Sequence, residues 1–540
     1  MAQHRDVAIV NATVRTFDHT DTVATALLMR QGRIALVGTD DQIRSVATAD
    51  ADFIDAGGRT VLPGFIDAHN HLSVAAFEPD AVDCWTPPLA TLDEVLARID
   101  AHCQRVPAGQ WVIGMGFHGP AVREQRAPTR WELDEVAPRN PFFLIDVSCH
   151  AGYANSKALQ LVRIGPHTPQ PWGGLIEKDG RGEPTGTLLE AGLNLVQAAS
   201  WNDYAERDWD RSIGLLQAKM NQYLSVGITG VGDAMVTAKT AELYRRADAA
   251  DAMPFTVQQL HAGDYFFAMH DLRRTDLVDR IKEPCSDRVR GGTMKIYVDR
   301  AYPDGAAIDQ IHDGCTRHVG SAFYTKEEVN ALAVRASELG IGTAIHAMGN
   351  CAVDSVLDAY ETVRRASRRD SVLRLEHAFV AEPRQGERMA SLGVDLVINP
   401  GLAYHVGDDF SIWRGVNQHH LKVLPARSMI DAGVRVSLAS DHPCGTYSPA
   451  EIMGIAITRL AHDGSLVQPE EAIAAAEALR GYTINAAHAS GRAAEEGSIE
   501  VGKRANLVMV DRDPLTSSGQ EVGRMVVEKT WVDGVLLHTA

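Results

Sequence analysis

The chain has 540 residues, 45% of them hydrophobic and 23% charged, and a formal net charge of −18 at pH 7. Length and composition fit a water-soluble globular protein of two or more domains, and the negative charge, with no Lys/Arg run to override it, argues against a nucleic-acid surface. No run of eighteen apolar residues occurs, the N-terminus MAQHRDVAIVNATV has no signal-peptide core, and the seven Cys (84, 103, 149, 285, 315, 351, 444) form no C-x-x-C, so the expected setting is the cytoplasm, with no membrane partner and no disulfide framework.

Residues 6–60 read as short β-segments, DVAIVNATVRTF, ATALLMRQGRIALVG and DFIDAGGRTVL, separated by Gly- and Asp-rich turns. The C-terminal stretch repeats that character in ANLVMVD and in VVEKTWVDGVLL, whose Asp533-Gly534 marks a hairpin. Between the two ends, β-rich runs alternate with helical stretches, the signature of βα units and a parallel sheet. Eight strands are predicted, at 61–69, 227–234, 254–261, 291–298, 341–347, 372–378, 393–399 and 433–441. Eight is the number that closes a (β/α)8 barrel, whose sites lie at the C-terminal ends of its strands. The gap between the first two strands is far longer than one βα crossover. The expected organisation is therefore a small sheet domain from residues 1–61 and 491–540, a barrel from 62–75 and 206–490, and an insertion at 76–205 over the barrel mouth, in which PQPWGGLIEKDGRGEPTG (168–186) reads as loop and hairpin.

The predicted strand ends carry the chemistry. Strand one, in GFIDAHNHL, ends on His69 and His71; strand five ends on His346, strand six on His377 and strand eight on Asp441, while strand four holds Lys295. His-x-His alone is a weak signal, expected about once by chance in a chain with this many histidines. On an extended strand, however, residues i and i+2 share a face, and the remaining candidates fall at matching strand ends. Neutral imidazoles and a carboxylate are the ligands of catalytic Zn²⁺ sites, where bound water becomes a nucleophile near neutral pH. Asp441 is placed to bind metal and to pass the water's proton to a leaving group. An unmodified ammonium repels a cation, so Lys295 is either a salt-bridged structural residue or, carbamylated by CO2, an anionic bridge between two metals.

At this point the chain resembles the amidohydrolase superfamily, and within it the family 3 branch of metal-dependent hydrolases, formamide deformylases among them. The resemblance runs over nearly the whole chain, through VLPGFIDAHNHL (61–72), ANSKAL (154–159), GGLIEKDGRGEPTGTLLE (173–190), GITGVGDA (227–234), MKIYVD (294–299), IHAMGNCAVD (345–354), RLEHA (374–378), ASDHP (439–443), YTINAAHASG (482–491) and GSIEVGKRANLVMVDRDP (497–514). It implies a TIM-like barrel beside a composite β-sandwich made from both termini. By position it implies that His69, His71 and Asp441 hold one metal, His346 and His377 another, and that carbamylated Lys295 bridges them. The sequence departs from the family pattern at Arg300-Ala301-Tyr302-Pro303-Asp304, at Phe117-His118 and at Ser148-Cys149-His150, where substrate is expected.

Around this set, Asp67 is placed to orient a ligand imidazole or to cap a turn. Asn70 and His442 should point away from the metals, and His419-His420 receive no role. His150 is the candidate to polarise the scissile carbonyl or to bind a substrate carboxylate. His118, Trp85, Trp172, Tyr302 and Tyr404 are candidate pocket walls, and Arg300 is a candidate partner for an anionic substrate group. The reading that follows is a metal-dependent hydrolase of the C–N bond in a small non-peptide amide of N-formyl or N-acyl type. One or two divalent ions, zinc first among them, would serve it, in a chain that is a homodimer by default. Its competitors are hydrolysis of a cyclic amide or carbamate, deamination, and isomerisation or decarboxylation at the same site.

Overall fold

The structure is a computed structural model that describes residues 5–263, 281, 286–300, 306–312, 315–366, 371–406 and 421–540. Its central sheet has eight strands: β1 (Phe65–Asn70), β2 (Ile228–Val236), β3 (Thr256–Ala262), β4 (Val289–Tyr297), β5 (Gly342–Ala347), β6 (Leu373–His377), β7 (Asp395–Ile398) and β8 (Arg435–Leu438), paired in chain order. Every pairing in it is parallel. Strands β1, β2 and β3 are buried at every residue, as expected of parallel strands covered on both faces, and this is why they read as apolar runs. The two edges meet beyond their ladders: the Asp441 N–H donates to the His69 carbonyl and the His71 N–H to that of His442, each at 2.9 Å. These bonds draw the sheet into a TIM-like barrel at its C-terminal rim.

Helices cover the barrel where the 3.6-residue period dictates. Asn350–Arg365 buries Val353, Val356, Leu357, Tyr360 and Val363 along one stripe. Its neighbour, Lys326–Glu338, starts at a capping box in which Thr325 and Glu328 satisfy each other's backbone N–H groups.

The N-terminal segment forms one further sheet and joins the C-terminal segment in another. One runs Arg33–Gly38, Ala26–Arg30, Val7–Val10, Asp52–Asp55; the other runs Val535–Thr539, Val527–Val532, Leu507–Val510, Thr60–Pro63, Thr13–Arg15, Val23–Ala24. Ile9, Leu27, Val61, Leu507 and Trp531 form one core among their strands. The expected first barrel strand, 61–69, is in fact two strands. Thr60–Pro63 belongs to the terminal sheet, where Leu62 faces Val508, and only Phe65–Asn70 enters the barrel. The break falls at Gly64, whose N–H donates to the Asn506 carbonyl at 2.8 Å. A side chain there would collide with Thr229, so a bare residue lets the chain change sheets against β2.

Between β1 and β2 lies another sheet, ordered Gly174–Lys178, Pro184–Glu190, Ala151–Ala154, Phe142–Asp146, Val112–Phe117, Val82–Asp83. The first two form an antiparallel hairpin, and the last three are parallel. Among the described residues, no helix is long and apolar enough to cross a membrane.

Trp531 is fully buried in the terminal core. Trp531→Ala should therefore cost about 3–5 kcal/mol, seen as a lower midpoint in urea unfolding; an unchanged midpoint would show that this core does not contribute to stability.

Candidate metal centre

The C-terminal rim collects the polar side chains. His69 and His71 leave β1 on one face, and Asp441 meets them from beyond β8 with its backbone at φ 56°. The His71 Nε2 lies 3.0 Å and the His69 Nε2 3.4 Å from Asp441 Oδ1. Donor atoms of the three residues all lie within 4.8 Å of one another. The Lys295 Nζ is 3.3 Å from His69 Nε2. The His377 ring centroid is 4.8 Å from that of His69 and 4.6 Å from that of His346. All six predicted rim residues thus converge.

Each ring is held from behind. His69 Nδ1 contacts Glu376 Oε2 at 2.5 Å, His71 Nδ1 the Ala234 carbonyl at 3.1 Å, and His377 Nδ1 Asn399 Oδ1 at 2.8 Å. Such contacts fix ring orientation and leave the other nitrogen to a ligand. His346 differs: it is buried, and neither ring nitrogen has a hydrogen-bond partner among the described residues. Unmet buried nitrogens are costly, and a metal ion is the partner that suits them.

The electrostatics favour the metal-binding protonation states. Burial, and then the Lys295 charge, pushes the His69 imidazole down to about 4. Burial and the neighbouring His69 push His377 down to about 3, and burial drives His346 well below the usual imidazole range. Neutral imidazole is the ligand form. Burial alone would raise Asp441, but His69, His71 and His377 outweigh it and hold the carboxylate well below its usual range. Three neutral imidazoles with an ionised carboxylate are a donor set that fits a divalent metal.

A cavity of about 650 Å³ opens over this rim. The parallel strands of the inserted sheet end on it from the other side, delivering Trp85, His118 and Asp146–His150. Phe77, Trp201, Leu243, Phe379 and Tyr404 complete its walls. Trp85 packs on Gly116 (φ 86°), where any side chain would strike its ring. Burial and two hydrogen bonds from Ser148 act on Asp146 in opposite senses, burial prevailing and raising its carboxyl.

Several expectations need correction. Asp67 does not orient a ligand imidazole; its carboxylate accepts from Ser440 N at 2.9 Å, Ser440 Oγ at 2.5 Å and Asn70 Nδ2 at 2.9 Å. Burial raises Asp67 to about 6. The residue behind His69 is Glu376, which sequence reasoning passed over. Alternation puts Arg374 and Glu376 on one face of β6, level with Ala344 and His346 of β5. His377 should then face outward, but its φ of 76° turns it back to the rim. A carboxylate beside a candidate ligand in RLEHA (374–378) was the available signal. Trp172 does not reach the cavity; it is 37% exposed and packs on Phe323 and Tyr324. Arg300 is not a cavity wall either, its Nε lying 3.4 Å from Glu190 Oε1, behind His150. Tyr302 and His419-His420 lie outside the described residues. Asn70 and His442 point away as expected, Asn70 accepting from Tyr223 at 3.0 Å and His442 meeting the Gly445 carbonyl at 2.8 Å.

The sequence model of the amidohydrolase family matches residues 52–538. The chain belongs to the amidohydrolase family. It is 67% identical to the N-substituted formamide deformylase of Arthrobacter pascens over 538 residues, 100% of this chain and 99% of that protein. Among solved structures, an uncharacterized metal-dependent hydrolase from Pyrococcus horikoshii OT3 superposes with TM-score 0.76 at 21% identity, covering 95% of this chain and 99% of that one. A zinc complex of the atrazine chlorohydrolase TrzN from Arthrobacter aurescens TC1 gives TM-score 0.53 at 17% identity, over 98% and 94%. These structures share the fold. This amidohydrolase is thus an enzyme that hydrolyses carbon–nitrogen bonds.

Glu376 also forms a two-pronged pair with Arg374, at 2.9 and 3.0 Å, both fully buried. Glu376→Gln should lower metal affinity about 10–100-fold and stability by about 3–5 kcal/mol, because it strands the Arg374 charge. Competition with a chelator and urea unfolding check both numbers; wild-type values in both would remove Glu376 from the site.

Proposed function

We propose that this amidohydrolase cleaves the C–N bond of an N-substituted formamide, releasing formate and an amine. The observation that carries this reading is the 67% identity, end to end, with a protein of that activity. The cavity agrees with it. Its volume of about 650 Å³ suits a small molecule, a formyl group needs little room beside the rim, and the apolar walls Phe77, Trp85, Trp201 and Leu243 suit an apolar N-substituent.

In this reading His69, His71 and Asp441 would hold one divalent ion and His346 and His377 a second, with carbamylated Lys295 joining them. Zinc fits imidazole and carboxylate donors. Such an ion supplies Lewis acidity toward a carbonyl oxygen and acidifies water. The chain's own residues do the rest. Asp441, whose carboxyl lies well below its usual range, accepts the proton of the attacking water and delivers it to the amine nitrogen as the C–N bond breaks. His150, on the opposite wall of the cavity, meets the carbonyl oxygen. Glu190 counters the effect of burial on this imidazole and raises its pKa, which favours its role as hydrogen-bond donor. His118, whose Nδ1 is buried without a partner among the described residues, offers a second polar contact. The inserted segment 76–205 excludes bulk water, and the terminal sheets act as a composite β-sandwich that anchors the start of β1.

Asp441→Asn should reduce kcat for formate release by about 10²–10⁴-fold; turnover near the wild-type rate would overturn the assignment of Asp441. In ¹⁸O-labelled water the label should enter formate and not the amine, and unlabelled formate would exclude hydrolysis. Lys295→Ala should lose most activity and about one metal equivalent by elemental analysis, on the bridging role reasoned from ligand chemistry; full retention of both would take Lys295 out of the centre.

A further inference from the structure

We propose that Glu190 is a positioning residue of this hydrolase, fixing His150 from behind, and that Arg300 in turn fixes Glu190. The inference rests on the role given above to His150.

Glu190 ends the strand Pro184–Glu190 of the inserted sheet. It is 4% exposed and absent from the cavity wall, whereas His150 lines it. Two of the contacts that hold His150 come from Glu190. The Glu190 N–H donates to the His150 carbonyl at 2.8 Å, and Glu190 Oε2 accepts from His150 Nδ1 at 2.7 Å. One residue thereby fixes both the backbone and the ring of its partner. The second carboxylate oxygen, Oε1, faces Arg300 Nε at 3.4 Å. Glu190 makes these contacts from φ 51°, a left-handed backbone that side chains adopt at a cost and that tends to persist where function demands it.

The consequence follows from imidazole geometry. With Nδ1 turned to Glu190, the ring edge carrying Nε2 lies on the opposite side, and Nε2 donates from the protonated ring, in which both nitrogens carry hydrogen. Arg300 stands on a rigid base. The preceding residue, Asp299, accepts from Met348 N at 2.8 Å and from Ala307 N and Gly349 N at 2.9 Å. The chain Arg300–Glu190–His150 therefore ties the inserted sheet to the end of β4, the strand that carries Lys295. A ring set by this tie keeps a fixed position relative to the rim, which a hydrogen bond to a reacting carbonyl requires.

A double-mutant cycle tests it, because a residue that acts through another loses its effect when that partner is gone. Formate release, metal content and unfolding midpoint are measured for E190Q, H150N and the double variant. E190Q should lower kcat by at least about tenfold with KM within about twofold and metal content unchanged. In the H150N background it should lower kcat by less than about twofold. An equal loss in both backgrounds, or wild-type kcat in E190Q, would overturn the inference. Wild-type kcat in H150N would instead overturn the role of His150, and the inference with it. A crystal structure of E190Q needs no substrate and separates these failures from a wrong substrate class: a displaced His150 ring supports the tie, and an unmoved ring contradicts it. Should E190Q fail to fold, R300M, which removes only the Oε1 contact, takes its place in the cycle.

Discussion

The closure of the barrel between β1 and β8 is the constraint on which everything at the rim depends. Two backbone hydrogen bonds, Asp441 to His69 and His442 to His71, stitch together segments separated by 372 and 371 positions in the sequence. They set the Asp441 carboxylate against the imidazoles of His69 and His71. Neither element alone makes a site. An Asp beyond a strand end is ordinary, and two histidines on a strand are ordinary; held face to face away from water, they leave lone pairs that call for a cation. The left-handed backbone at Asp441 and His377 is part of the same constraint, since both residues abandon strand geometry in order to point inward.

Beneath the rim, a second set of charges makes this arrangement tolerable. Arg374 is fully buried, donates to the carbonyls of Ala68 and Ala489 at 2.9 and 3.3 Å, and grips Glu376 with two nitrogens. Burial alone would protonate Glu376, but Arg374 and His69 outweigh it and hold the carboxylate ionised. Glu376 then holds the outer nitrogen of His69. One buried cation is therefore linked to the backbone of β1, to a helix end, and to the orientation of a ligand ring. A buried ion pair is a weak source of stability, and its use in this fold is to specify position.

Much of this was legible in the sequence, for definite reasons. Parallel barrel strands are covered on both faces and so announce themselves as apolar runs, which is why β1 to β8 fall where those runs lie. The rim residues were legible because His69, His71, His346, His377 and Asp441 sit at the ends of those runs and Lys295 is a charge within one. What escaped reading depended on non-local geometry. The sheet change at Gly64 follows from the close approach of Thr229, a contact across 165 positions. Glu376 was hidden by the period-two rule itself: taking His377 as inward made its neighbour outward, and only the positive φ at His377 lets both serve the site. Asp67 had the right spacing for a supporting carboxylate, but Ser440 and Asn70 claim it. Arg300 read as a free cation near substrate, and its pairing with Glu190 arises from a hairpin more than a hundred residues away.

The central claim, that imidazoles and a carboxylate at this rim bind a divalent ion, is tested most directly by X-ray absorption on the zinc-loaded protein. The expected spectrum has a first shell of nitrogen and oxygen near 2.0–2.1 Å with imidazole outer-shell scattering and no sulfur, even though Cys149 and Cys444 line the same cavity. A sulfur shell near 2.3 Å, or a protein that retains no metal after gel filtration, would contradict it.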